Sequence, residues 1–283
     1  MRAHDLLQIS GLADLVYIGW ELFPPSPKPI SSPAEHGLLA TPRARFLRQG
    51  LTAIKSFRDD RMNGDSPKKG CPAWVERSLQ EAPFVVVRRA NLFDGMIPVG
   101  VRGSSRQQRS AAYLAPKSIR NRITPEQLAA NQGWLTNART EEIPGFKVLA
   151  GIEEKLANLP LACGPTGSIG FELASGLPTA TSTSDLDLLI RAPERLPMQL
   201  AKKLITIFSG SPCRVDVQLE TPRGAVSLAE YASGQTPLLL RQNDGPILVD
   251  DPWEFHHRDT ENTEVGDRDR PKAGLSEVRC SVL

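Results

Sequence analysis

Cysteine is scarce, four in 283 residues, and Cys71, Cys163, Cys213 and Cys280 form no C-x-x-C pair. That spacing suggests neither a disulfide framework nor a zinc site, and it fits a reducing cytoplasm. An excess of one charge is also missing, since 34 Lys plus Arg stand against 32 Asp plus Glu, a net +2. A nucleic-acid binder needs a broad basic surface, so no nucleic-acid partner is expected and any cationic site has to be local. No apolar run reaches the length of a membrane span. Acidic and polar residues interrupt Met1 to Trp20 where a secretory signal needs an apolar core. The expectation is a soluble, cytoplasmic protein with no membrane partner.

What is present concentrates in three strings. Gly164-Pro165-Thr166-Gly167-Ser168-Ile169-Gly170 is followed by Asp185-Leu186-Asp187-Leu188 and then by Arg214-Val215-Asp216-Val217-Gln218-Leu219-Glu220. Strand side chains alternate between faces, so Asp185 and Asp187 leave one side of a sheet while Leu186 and Leu188 enter the core. Two carboxylates about 6.5 to 7 Å apart on one face repel unless they share a cation. The second acidic strand repeats the alternation, which makes Asp216 the natural third ligand. Hard oxygen donors favour Mg²⁺, or Mn²⁺, over zinc.

The glycines have a separate task. Gly164, Gly167 and Gly170 permit a backbone that approaches a ligand closely, and Ser168 to Ser175 is predicted as a short helix stopped by Gly176 and Pro178. The start of that helix offers unpaired N–H groups to an anion. Phosphate beside divalent ions implies phosphoryl or nucleotidyl transfer.

Gly167-Ser168, Asp185-x-Asp187 and the lone Asp216 resemble the signature of the polymerase-beta-type nucleotidyltransferase superfamily, with a longer run than usual between Ser168 and Asp185. A closer resemblance accounts for that run. The strings Gly164 to Ala180, Ser184 to Leu188 and Arg214 to Pro222 are similar to the phosphoribosyl-dephospho-CoA transferases of malonate decarboxylase, as are Pro98 to Gly103, His4 to Leu7 and Asp250 to Trp253. The likeness covers Cys71 to Trp253 and the first few residues; Ala13 to Gly70 and the tail after Trp253 do not fit it. It implies transfer of a prosthetic group from 2'-(5''-triphosphoribosyl)-3'-dephospho-CoA to a serine of the acyl carrier protein subunit of malonate decarboxylase. Asp185, Asp187 and Asp216 would be the catalytic metal ligands, and Gly167 and Ser168 would hold the departing pyrophosphate.

Taken in order, the chain predicts an α/β (α+β) protein: an N-terminal α+β domain over 1–142 with an insert at about 14–70, a nucleotidyltransferase-like domain with a mixed sheet flanked by helices over 143–253, and a disordered tail over 254–283. His4-Asp5 opens an element of uncertain type, and His4 is assigned a local structural role. Pro24 to Pro33 predicts a polyproline-like linker, and Arg43 to Arg61 a helix with a solvated basic face. Val75 and Leu79 mark a short helix. Phe84 to Arg88 and Ile97 to Val101 form a hairpin around Asp94-Gly95. Ser104 with Gln107 predicts a capped helix to Leu114. On that helix Arg106 and Arg109, with Arg102 just before it, form a triphosphate clamp. Lys117, Arg120 and Arg122 extend the basic stretch toward the CoA-like part or an acidic partner. Thr124-Pro125-Glu126-Gln127 starts another helix, Phe146 to Leu156 marks a further one, and Leu200 to Phe208 one more between the acidic strands. Ser227 with Glu230 caps a last helix, and Pro237 to Asp250 closes with a hairpin. His256-His257 is taken as incidental.

Two other function classes stay open on the residues alone. One keeps the site and changes the acceptor, an adenylyl- or nucleotidyltransferase. The other is a silent domain that binds a carrier protein or CoA-like ligand, and it requires Asp216 to lie away from Asp185 and Asp187.

Overall fold

Two six-stranded sheets carry the architecture. The computed structural model describes residues 1–17, 71–105, 107–157 and 161–254. The proline-rich linker, the basic helix, Arg106 and His256-His257 lie outside the described residues. In the first sheet, strands β1 (Leu6–Gln8), β2 (Leu15–Val16), β3 (Phe84–Val87), β4 (Ile97–Arg102), β5 (Arg109–Leu114) and β6 (Asn121–Ile123) run in the order β2-β5-β4-β3-β1-β6. All its pairings are antiparallel. The element of uncertain type at His4-Asp5 thus leads into a central strand. Leu15 and Tyr17 are buried in this sheet's core, so the chain is still part of the domain there.

The segment expected as a helix from Ser104 to Leu114 is a hairpin loop and a strand. Ser104 Oγ and the Ser105 N–H both donate to Gln108 Oε1, at 3.0 and 3.2 Å, and the Gly103 N–H donates to the Gln108 carbonyl at 2.8 Å. From Arg109 onward Ala112 and Leu114 are buried in register with Val99 and Ile97 of β4. The pleated partner decides the conformation over the local capping pattern, as tertiary pairing commonly does. The earlier hairpin forms as read, with Asp94 and Gly95 at positive φ of 49° and 69°.

One face of this sheet packs on helix α1 (Ala73–Glu81) through Val75 and Leu79. Leu6 and Phe84, on the other face, meet Leu128 of α2 (Pro125–Asn131) and Phe171, a residue of the second domain. Thr124 caps α2 with the full capping box to Gln127.

The second sheet comprises β7 (Ala162–Pro165), β8 (Leu186–Arg191), β9 (Val215–Thr221), β10 (Gly224–Ser227), β11 (Leu238–Gln242) and β12 (Gly245–Val249), in the order β12-β11-β10-β9-β8-β7. Only β8 and β9 are parallel, as the crossover α5 (Met198–Phe208) between them requires. Helices α3 (Pro144–Ala157), α5 and α6 (Leu228–Ser233) cover one face, where Phe146, Leu149 and Ile152 meet Leu186, Leu188, Ile190, Val217 and Leu219. Ser227 stands at the α6 N-cap without a side-chain cap bond. Among the described residues no helix is long and apolar enough to cross a membrane.

The opposite face of the second sheet turns toward the first domain, and charges close the seam. Arg191 of β8 is 6% exposed; it donates from Nε to Glu126 Oε1 at 2.7 Å and lies 3.5 Å from the fully buried Asp5. Asp5 also accepts from Arg122 at 2.9 Å. Arg122, expected to reach the CoA-like part or an acidic partner, is instead paired with Asp5 in the seam, and Arg120 donates to Ser10. Removing one member of a buried charge set strands its partners, at a cost of about 3–5 kcal/mol. Arg191→Met is therefore expected to lower unfolding stability in urea by about that amount, whereas a change of under about 1 kcal/mol would show that the seam does not depend on it.

Candidate active site at the domain seam

The acidic strands meet as neighbours. Asp187 and Asp216 are direct register partners on β8 and β9, and Leu186 and Leu188 pair with Val215 and Val217 on the core side. Asp185 stands just before β8, partly exposed. The silent-domain reading required Asp216 to lie elsewhere.

The Gly-Ser turn is fastened to the same strand. Helix α4 (Gly167–Ser175) begins at Thr166, whose N–H donates to the Asp187 carbonyl at 2.8 Å. Gly167 has φ 62°, and a Cβ there would fall 1.9 Å from Asp187 Oδ2. Only glycine meets both conditions, the left-handed backbone and the close carboxylate. Ser168 follows in the first turn of α4, buried. The start of α4 thus lies directly against the Asp187 carboxylate.

The long run between Ser168 and Asp185 is accounted for by Glu172. Its carboxylate, 2% exposed, accepts the N–H groups of Thr179 and Ala180 at 2.9 and 2.8 Å and pairs with Arg139 at 2.9 Å. Those bonds fold the loop after α4 back toward Asp185. Thr179 Oγ1 adds a bond to the Ser168 carbonyl at 2.9 Å.

Across the seam, Arg102 and Arg109 are register partners on β4 and β5 and share a face. The Arg102 guanidinium lies 5.9 Å from the ring centroid of Phe171 in α4, a cation–π distance. The helix expected to carry these arginines is absent, yet the hairpin delivers both toward the acids. Burial, then the charges of Asp216 and Asp185, lift the Asp187 carboxyl above its ordinary range, and Arg102 and Arg109 pull it back only in part.

His4, given only a local role by the sequence, stands on the acid face. Its imidazole is hydrogen-bonded to Gln218, two residues beyond Asp216 on β9. Burial, then the Arg89 charge, pushes it below the usual histidine range, with Glu220 acting in the opposite sense. The backbone at His4 has φ 70°, which directs the residue out of the strand that follows. The signal was present in the family-like string His4 to Leu7, but nothing local said which sheet face it would meet.

Among the described residues no three His, Cys, Asp or Glu side chains converge closely enough to hold a metal ion by themselves. Mg²⁺ commonly takes one or two carboxylates and completes its shell with substrate phosphates and water. Asp187 and Asp216, paired in register and poorly compensated, suit that mode. Asp185 is felt by Asp187 but does not close a three-carboxylate cage.

The raised Asp187 has a measurable consequence. In the unfolded chain it ionises at the ordinary carboxylate value; in the folded chain it keeps its proton to higher pH. Its contribution to stability is present below the ordinary value and is lost as pH rises through the raised one. With a chelator present, Asp187→Asn is expected to raise Tm by about 2 °C or more at pH 7, the advantage vanishing below the ordinary carboxylate range. An unchanged or lower Tm at pH 7 would contradict the electrostatics described.

Comparison with known proteins places these features. The model of the phosphoribosyl-dephospho-CoA transferase MdcG N-terminal domain matches residues 2–125, and that of the C-terminal domain matches residues 130–252. A phosphoribosyl-dephospho-CoA transferase of Pseudomonas aeruginosa is 40% identical over 187 residues, 66% of this chain and 87% of the relative. One from Pseudomonas fluorescens is 38% identical over 216 residues, 76% of this chain and 97% of the relative. One from Azotobacter vinelandii is 41% identical over 196 residues, covering 68% and 90%. No solved structure matches. With both domain models matched in order and relatives covered over nearly their full length, the chain belongs to the phosphoribosyl-dephospho-CoA transferase family.

Proposed function

We propose that this protein transfers the phosphoribosyl-dephospho-CoA group from 2'-(5''-triphosphoribosyl)-3'-dephospho-CoA to a serine of the acyl carrier protein subunit of malonate decarboxylase, releasing pyrophosphate, in a Mg²⁺-dependent reaction. The observation that supports it most is the opposition of Asp187 and Asp216, in register on β8 and β9, to the α4 turn and to Arg102 and Arg109. The family membership supports this choice of donor.

In this reading the carrier serine oxygen attacks the phosphorus nearest the ribose, and the bond from that phosphorus to the outer two phosphates breaks. Asp216 accepts the serine proton. The N–H groups of Gly167 and Ser168 receive the pyrophosphate as its charge grows, and Arg102 and Arg109 neutralise the remaining phosphate charge. Asp187 and Asp216, with Asp185 beside them, would hold Mg²⁺, which when bound polarises the phosphoryl group and lowers the charge that the arginines must offset.

The test is mass spectrometry of the purified carrier subunit after incubation with this protein, Mg²⁺ and the triphosphoribosyl donor, with ATP as a rival donor. The expected product carries the phosphoribosyl-dephospho-CoA mass on one serine. A nucleoside monophosphate adduct from ATP would reassign the donor, and no adduct from either would remove the transfer reading. Asp187→Ala is expected to keep its fold and to lose about 10²-fold or more of the rate, the scale of a metal's contribution to transition-state stabilisation. Near-normal transfer by that variant would exclude the metal-assisted mechanism.

A further inference from the structure

A second cleft opens at the other end of the seam. It encloses about 830 Å³ and is lined by Arg2, Arg88, Arg89 and Arg223, with Glu220 as the only acid among its described lining residues. Glu220 is already matched: Arg89 grips both its oxygens, through Nη1 at 2.9 Å and through Nη2. Arg223 donates to the carbonyls of Asp251, at 3.2 Å, and of Glu254. Arg2 and Arg88 are exposed to the cleft, and neither has a carboxylate partner among the described residues. The cleft therefore holds a local surplus of positive charge in a chain that is nearly neutral overall.

The mouth has a different chemistry. Met1 and Leu92 are among the few large apolar side chains left in water, 55% and 66% exposed, and both line this cleft. A cationic wall beside an apolar lip suits a ligand that joins phosphate to an uncharged arm. The position along β9 sets its reach. Glu220 lies four residues beyond Asp216 on the same strand and face, about 13 Å away.

We propose that this cleft binds the second diphosphate of the donor, a nucleoside 5'-diphosphate ester, with Arg2 and Arg88 on the phosphates and the pantetheine arm along Met1 and Leu92. The proposal rests on the transfer reading above for its choice of ligand. In that donor the reacting triphosphate and the other diphosphate sit on two linked riboses, so one molecule presents two anionic groups to two cationic sites at opposite ends of the seam. The enclosed volume falls within the range of small-molecule sites, about 300–1,000 Å³, whereas a protein partner takes a surface of about 800 Å². The exposed arginines are suited to bidentate contacts with phosphate oxygens.

The probe is 3'-dephospho-CoA, which lacks the triphosphoribosyl group and cannot react, titrated calorimetrically into the full chain. Arg88→Ala and Arg2→Ala together are expected to weaken it tenfold or more, with circular dichroism and Tm unchanged; Asp187→Asn is expected to leave it unaltered. Leu92→Ser is expected to weaken 3'-dephospho-CoA but not ADP, which has the phosphates without the arm. Equal affinity for the wild type and the double arginine variant would overturn the site, as would no binding to the wild type. So would a double variant that raises KM for the carrier protein alone, since the cleft would then dock the acceptor. Arginine-dependent binding in a protein that transfers nothing to the carrier would sink the transfer reading and leave the cleft assignment standing.

Discussion

Two carboxylates, Asp187 and Asp216, lie side by side on parallel strands in a partly buried place, an arrangement that opposes folding unless positive charge is brought to it. Much of the surrounding structure answers that constraint. Arg102 and Arg109 approach from the facing sheet, Gly167 removes a side chain to admit the carboxylate, and the start of α4 lies against the same carboxylate. The compensation is incomplete, as the raised Asp187 shows. An incompletely balanced acid pair is unfavourable when empty and well suited to a cation with phosphate, so the site's instability and its chemistry have one origin.

The arginines reach the acids only because the domains are held in register. Two ion-pair groups do this, Arg191 with Asp5 and Glu126 and Arg89 with Glu220, while Arg139 with Glu172 ties the loop that leads toward Asp185 within the second domain. Apolar contact alone, through Leu6, Phe84, Leu128 and Phe171, brings the surfaces together without fixing their angle. The charged contacts are directional and fix which residues face one another. The seam is thus both the support of the fold and the floor of the cleft.

The sequence made the second domain legible because its signals were local. Alternation placed Leu186, Leu188, Val217 and Leu219 in the core, and the amphipathic helix expected from Phe146 to Leu156 forms, beginning two residues earlier at Pro144. The first domain was harder. Ser104 with Gln107 looked like a helix start, but Arg109 to Leu114 is a strand because β4 offers a ladder partner that no local pattern reveals. Arg102 and Arg109 were expected on a helix, and the structure places them on a hairpin instead, where their charges still reach Asp187. The surroundings of His4 and Arg191 were not legible because they depend on which sheet face each meets across the seam, a property of the docked domains rather than of any one segment.

The central claim is that the acid pair and the facing arginines act as one receptor for a metal-bound polyphosphate. Calorimetric titration of pyrophosphate, with and without Mg²⁺, into the wild type, Asp216→Asn and Arg102→Ala tests it directly. The account predicts binding that requires Mg²⁺ and falls tenfold or more in each variant, about 1.4 kcal/mol. Binding that ignores the metal and survives both substitutions would contradict it.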